Sequence, residues 1–325
     1  MKALVTGGAG FIGHHLVSGL LDRGDQVAII DDFSTGQRSR LDQFGDGLVV
    51  VEGSILDPSA LDAASAGCEV IFHEAAIPSV ARSLATPLAT NEANVTGTIQ
   101  VMLAAARNHV RRVILAGSSS VYGVPEHLPC RESQRPAPSS PYGASKLAAE
   151  HYLNTLGLLH GIETVVLRYF NVFGPGQDPD SEYAAVVPKF VTAVLEAGQP
   201  VIYGTGEISR DFTYIDNVVS ANLRAASSDA PSGFTCNVAC GDRYTLIELL
   251  GTICDAVGRQ VEPTFGPPRE GDILHSQADI TVAREKLGYG VTVPFREGIS
   301  RTVAWYREQI TGSATGSGQG PTSRH

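Results

Sequence analysis

Short apolar runs alternate with longer amphipathic stretches through the first half of the chain. Runs at 3–6, 26–31, 48–52, 70–73, 112–116 and 164–168 have strand length. The stretches at 11–23, 59–66, 91–108 and 141–160 space their apolar residues as helices do. Strands separated by helices of this length predict right-handed crossovers, and therefore a parallel sheet covered on both faces. The expected fold class is α/β, a doubly wound parallel sheet. Beyond residue 171 the pattern loosens into a Gly/Pro-rich loop at 174–180, then helical patterns at 184–197, 215–228 and 245–257 with short strands between. A main domain over 1–170, to which later segments return, and a smaller C-terminal α/β lobe over 171–311 are expected. Residues 312–325 are rich in Gly, Ser and Thr without apolar periodicity, and are expected to form a disordered tail.

Composition narrows the classes. With 43% apolar and 18% charged residues among 325, the chain has the make-up of a folded globular protein. Its formal net charge of −10 argues against nucleic-acid or anionic-membrane binding through the whole surface. A few arginines placed locally still suffice for a small anionic ligand. No apolar stretch is long enough to span a bilayer, and no secretory segment precedes the first strand, so a cytoplasmic protein is expected. Five scattered cysteines fit a reducing compartment. Cys236 and Cys240 lack two further ligands in any recognisable pattern, so no metal site is expected.

The strand at 3–6 leads directly into Gly7-Gly8-Ala9-Gly10-Phe11-Ile12-Gly13 and then into a helix. Glycines at 7, 10 and 13 permit a tight turn, close approach of backbone amides to a pyrophosphate, and tight helix-on-strand packing. The position of the turn, after a first strand and opening a helix, makes it a dinucleotide signal of Rossmann type. The second strand ends in Asp31-Asp32; an acid here accepts hydrogen bonds from an adenosine ribose and repels a 2′-phosphate, which favours NAD over NADP. Asp57 follows the third strand, where it either contacts the adenine amino group or caps the helix that starts at Pro58.

Ser139 or Ser140 can cap a helix that starts at Pro141, and on that helix Tyr142 and Lys146 lie four apart on one face. A free tyrosine titrates near pH ~10, and a lysine charge held close favours the phenolate, making an acid-base group. Alone, the pair reads more readily as a surface Tyr and Lys than as a catalytic pair; the rest of the chain decides.

Together these features resemble the extended short-chain dehydrogenase/reductase superfamily. The carriers are the G-x-x-G-x-x-G turn, Ser118-Ser119-Ser120-Val121-Tyr122-Gly123, and Tyr-x-x-x-Lys at 142 and 146. Further segments resemble the nucleotide-sugar branch and its UDP-hexose 4-epimerases: Asn94-Val95-Thr96-Gly97-Thr98, Leu167-Arg168-Tyr169-Phe170-Asn171-Val172-Phe173-Gly174-Pro175, Arg210-Asp211-Phe212-Thr213-Tyr214-Ile215-Asp216 and Arg269-Glu270-Gly271-Asp272. The resemblance covers residues 1–310 and implies NAD as cofactor and a UDP-sugar as substrate. It implies that Tyr142 is the base at the sugar 4-hydroxyl, that Lys146 binds the nicotinamide ribose and lowers the tyrosine pKa, and that Ser118 bonds the same sugar oxygen. It extends the cofactor contacts from Gly7, Gly10, Gly13, Asp31 and Asp57 to Phe11, Ile12, Asp32, Ser34, Gly36, Ile55, Ala75 and Asn94. For the substrate it implies Ser119, Asn171 and Val187, with Arg210 and Arg269 on the diphosphate and Asp272 on the uridine ribose. Arginine suits phosphate because its planar fork donates two hydrogen bonds at once.

Three positions narrow the chemistry. Related 4,6-dehydratases resemble a Thr-Asp-Glu arrangement where this chain has Ser119 and Ser120, and elimination of water needs an acid and a base there. Ser276, seven residues after Arg269, stands where family members restricted to non-acetylated sugars carry tyrosine, which implies room for a 2-N-acetyl group. The reading is a 4-epimerase of UDP-Glc/UDP-Gal and UDP-GlcNAc/UDP-GalNAc. The alternatives are a UDP-glucuronate 4-epimerase, another nucleotide-sugar epimerase, or a non-catalytic NAD-binding regulator. Family members commonly dimerise through helices equivalent to 94–108 and 141–160, so a homodimer is expected.

Overall fold

Each apolar run of the first half becomes a strand: β1 (Lys2–Thr6), β2 (Gln26–Asp31), β3 (Leu48–Glu52), β4 (Val70–His73), β5 (Arg112–Ser118) and β6 (Glu163–Tyr169). Between them run α1 (Phe11–Asp22), α2 (Pro58–Ser65), α3 (Val80–Ala85), α4 (Pro87–Asn91), α5 (Gly97–Arg107) and α6 (Pro141–His160). The computed structural model describes residues 1–179, 185–268 and 273–316. The later half adds β7 (Val172–Phe173), α7 (Val186–Leu195), β8 (Val201–Tyr203), β9 (Ser209–Arg210), β10 (Thr213–Tyr214) and α8 (Ile215–Ser227). It ends with β11 (Phe234–Val238), β12 (Tyr244–Thr245), α9 (Leu246–Val257), β13 (Thr264–Gly266), α10 (Thr281–Leu287) and α11 (Phe295–Gly316).

The main sheet has seven strands in the order β3-β2-β1-β4-β5-β6-β11, all parallel. Strand order reverses between β1 and β4, and the space outside their carboxyl ends is the place where such sheets bind ligands. Period-two alternation divides the strand residues: Ala3, Val5, Ile29 and Phe72 face one core, while Leu4, Ile30, Ile71 and Val113 face the other. From the later half, β11 joins β6 in register and α8 packs against α1. The remaining strands form two-stranded pairs, β7 with β10, β8 with β13 and β9 with β12.

Three elements differ from the sequence expectation. The single helix expected over 91–108 is α4, a π-helical turn at Glu92–Thr96, and α5. Thr86 is non-helical because Pro87 follows it, which separates α3 from α4. β5 runs to Ser118, past the expected end at 116, and so carries that serine to the sheet edge. α11 continues to Gly316, so 312–316 are helical; residues 317–325 lie outside the described residues. Among the described residues no helix is long and apolar enough to cross a membrane, and no cluster of His, Cys, Asp and Glu could hold a metal.

Candidate active site

Gly10 caps α1, and a Cβ on Gly13 would stand 2.1 Å from the Gly7 carbonyl oxygen, so the helix can sit against the turn only with glycine there. Phe11 and Ile12, in the first turn of α1, are half-buried. At the end of β2, Asp31 accepts the Ala9 amide at 2.9 Å and the Phe33 amide at 2.8 Å. Burial raises its pKa, opposed by those two hydrogen bonds. Gly36 lies against the same carboxylate, while Asp32 accepts both the amide and the hydroxyl of Ser34. A helix N-terminus, a glycine-rich turn and an acid at the β2 end fit a dinucleotide: the turn would receive the pyrophosphate, and Asp31 would face the ribose. Asp57 is engaged as the cap of α2, accepting the amides of Ser59 and Ala60, the simpler of its two expected roles. Ile55 packs into the second core, and the Ala75 amide donates to the Thr6 hydroxyl across the switch point.

Ser140 is the cap of α6, accepting the Gly143 amide at 3.1 Å. A Cβ on Gly143 would stand 2.6 Å from the Ser120 carbonyl oxygen, so the first turn of α6 lies directly on the 3-10 turn Ser119–Tyr122 that follows β5. This contact brings Ser118 within hydrogen-bonding reach of the Tyr142 phenol. Ser118 also accepts the Ser120 amide at 3.1 Å, and Ser119 is half-buried in the turn. The Tyr142 amide donates to Ser83 at 3.0 Å and its carbonyl accepts the Ser145 hydroxyl at 2.8 Å. One turn on, Lys146 is 4% exposed and its Nζ donates to the Ala116 carbonyl at 2.9 Å.

Burial raises the Tyr142 pKa, and the Ser118 hydrogen bond opposes that rise. Sequence assigned the lowering to Lys146; in the protein alone the ammonium is directed at Ala116, and Ser118 is the group that favours the phenolate. Lys146 itself is lowered to about 8 by burial, with Glu74 and then Glu150 holding it up.

Asn94, expected as a cofactor ligand, acts as a clamp. Its Oδ1 accepts the Ile77 amide at 2.8 Å and its Nδ2 donates to Ser145 at 2.9 Å, tying the loop after β4 to α6. His73 lies between Thr6 and Thr98. The Thr98 hydroxyl donates to the Asn94 carbonyl, so it can only accept from His73 Nε2–H, and this fixes the tautomer. Burial holds that ring neutral, with a pKa of about 3.

Sequence reasoning missed a buried polar layer behind Lys146. Arg168 donates twice to Glu150, at 3.0 and 2.7 Å, and once to the Tyr122 hydroxyl, which donates to Asn237. Glu150 follows Lys146 by four on one helix face, a spacing that marks it in sequence. Glu74, also missed, follows the apolar run of β4 directly and accepts the Tyr169 hydroxyl at 2.8 Å.

In the lobe, Asn171 takes a left-handed backbone, φ 31°, and donates to the Asp211 carbonyl at 3.1 Å. Arg210 on β9 donates to the Ser209 and Leu274 carbonyls, and half-buried Ser276 is tied alongside through its amide to Ser209. Asp211 gathers the amides of Cys240, Gly241 and Ala278. Val187 is 2% exposed on α7 and packs in the first core. Arg269 and Asp272 lie outside the described residues.

The family model described as NAD dependent epimerase/dehydratase matches residues 3–239. The UDP-glucose 4-epimerase of Mycolicibacterium smegmatis is 40% identical over 95% of this chain and 99% of its own length. Among solved structures, the UDP-glucose 4-epimerase of Thermotoga maritima with UDP-glucose is 35% identical at a TM-score of 0.91, covering 95% of this chain and 100% of its own. The UDP-N-acetylglucosamine 4-epimerase of Methanobrevibacter ruminantium, in complex with UDP-N-acetylmuramic acid, is 38% identical at 0.90, covering 95% and 98%.

Proposed function

The chain belongs to the NAD dependent epimerase/dehydratase family, within the extended short-chain dehydrogenase/reductase superfamily, and we propose that it interconverts UDP-hexoses at carbon 4. The observation that carries this reading is the meeting of Ser118, Tyr142 and Lys146 at the carboxyl edge of the sheet. The Gly7–Gly13 turn and Asp31 would hold NAD, which would supply reversible hydride chemistry at carbon 4. Tyr142 takes the proton of the sugar 4-hydroxyl and gives it back, and Ser118 orients that oxygen. Lys146, one helical turn after Tyr142, supports the phenolate by its charge. Ser119 and Ser120 offer no acid or base for elimination, which supports epimerisation over dehydration.

The substrate reading includes acetylated sugars, supported by the small side chain of Ser276 beside Arg210 and by the similarity to the Methanobrevibacter enzyme. Arg210 and Arg269 serve the diphosphate, Asp272 serves the uridine ribose, and Asn171 reaches the substrate from its left-handed turn. All five cysteines are free, which supports action in a reducing compartment. A homodimer through α5 and α6 is supported by Tyr152, Leu158 and Leu159, exposed on α6; sedimentation at twice the chain mass is expected.

The deciding experiment offers UDP-Glc, UDP-GlcNAc and UDP-glucuronate separately and resolves the products, with Tyr142→Phe as the control. Interconversion of the first two is expected. Turnover of the uronate alone would replace the substrate reading, and turnover of none would end it. In the same panel Ser276→Tyr is expected to suppress UDP-GlcNAc turnover at least about tenfold relative to UDP-Glc. An unchanged ratio would remove the role of Ser276.

A further inference from the structure

We propose that Glu74 is a positioning residue of this site: its buried carboxylate, at the end of the strand next to the carbonyl that anchors Lys146, holds the Lys146 ammonium in place for Tyr142. The inference deepens the reading of Tyr142 as the proton-transfer group and rests on it.

The strand registers make the placement. β4 pairs His73 with Leu115, so Glu74 follows level with Ala116, whose carbonyl accepts the Lys146 ammonium. β5 pairs Ser118 with Tyr169, whose hydroxyl donates to Glu74 Oε1 at 2.8 Å. From α8, fully buried Asn222 donates to the same Tyr169 oxygen at 2.8 Å. That oxygen therefore accepts from Asn222 and turns its own hydrogen toward Glu74.

Glu74 Oε2 is shielded from solvent and has no hydrogen-bond partner among the described residues. A buried carboxylate oxygen without a donor is costly unless a charge nearby compensates. Lys146 is the cation whose field Glu74 feels. The other groups around it are occupied or neutral: Arg168 is committed to Glu150, His73 is held neutral, and the Tyr169 phenol is pushed far above its ordinary range. Burial pushes Glu74 up to about 7, against the pull of Tyr169 and Lys146, while Glu74 is the first group that holds Lys146 up at about 8. Two groups coupled in this way titrate as a pair. The competent form has Glu74 ionised and Lys146 protonated.

The test is Glu74→Gln, which keeps an acceptor for Tyr169 and removes only the charge, alongside Glu74→Asp. With the carboxylate gone, Lys146 loses its proton at lower pH. The alkaline limb of the rate profile is expected to move down by about one pH unit and kcat to fall about tenfold, with KM near wild type. Glu74→Asp is expected to keep most of the wild-type limb. Superimposable profiles and equal kcat in folded Glu74→Gln would overturn the proposal. If that variant does not fold, the wild-type ¹⁵Nζ resonance of Lys146, assigned by its loss in Lys146→Arg, decides. A step in its shift near pH 7 ahead of its own titration is expected, and a single transition overturns the role of Glu74. A wild type that turns over no UDP-hexose ends the epimerase reading instead, and the Lys146 resonance then decides this inference by itself.

Discussion

Tyr142 is held at three points by three serines: its amide by Ser83, its carbonyl by Ser145 and its phenol by Ser118. Only the last of these touches the reacting atom, and it is the one that works against burial. Ser118→Ala removes a hydrogen bond that favours the phenolate, so the Tyr142 pKa climbs further. The acid limb of the rate profile is expected to move to higher pH and kcat to fall about ten- to a hundredfold. A profile that keeps its wild-type acid limb would show that Ser118 does not tune the phenol. Ser118, Tyr142 and Lys146 were legible from spacing and motif. Ser83 was not, because its role depends on a chain crossing 59 residues away in sequence.

At the scale of elements, α6, which carries Tyr142 and Lys146, is placed by a contact that leaves no room for a side chain. Gly143→Ala puts a methyl group against the Ser120 backbone, which cannot move away as a flexible side chain would. A stability loss of about 1–3 kcal/mol is expected from chemical denaturation, together with lost activity as Tyr142 and Ser118 are pushed apart. Wild-type stability in this variant would mean that α6 is free to shift on the turn after β5. The extent of α6 was readable from Ser140-Pro141 at its start and Gly161, left-handed at φ 68°, at its end. The helix expected over 91–108 was misread because apolar spacing does not register one extra residue in a turn. That π-helical turn carries Asn94, whose side chain clamps the cofactor-side loop.

Across the whole molecule, buried titratable groups set the pH response of stability, and they oppose one another. His14 and His73 are held at about 3 from an ordinary 6.5, so each adds stability that is lost as pH falls through that range. Glu74 and Asp211 are pushed up to about 7, so each adds stability at low pH that is lost as pH rises toward 7. Between about pH 4.5 and 6.5 the two pairs nearly cancel, and Tm is expected to vary little. Below about pH 4 Glu74 and Asp211 are protonated in both states, while the histidines still lose stability, as do Asp25 and Asp279, whose hydrogen bonds lower their pKa values. Stability then falls by about 1.4 kcal/mol per pH unit for each histidine. Thermal melts across pH check this; a Tm that drops steadily from pH 6.5 would mean that the acids do not compensate. By itself the sequence determined the alternation that makes a parallel sheet, the glycine turn with its acid at Asp31, and the Tyr142–Lys146 spacing, because each is a local pattern within a few residues. Only the tertiary structure decided that β5 reaches Ser118, that β11 joins β6 and α8 packs on α1, and that Glu74 follows β4 level with Ala116, the anchor of Lys146. Those facts depend on strand register and on side chains meeting from separate strands and helices, and neither is encoded within a short stretch of chain.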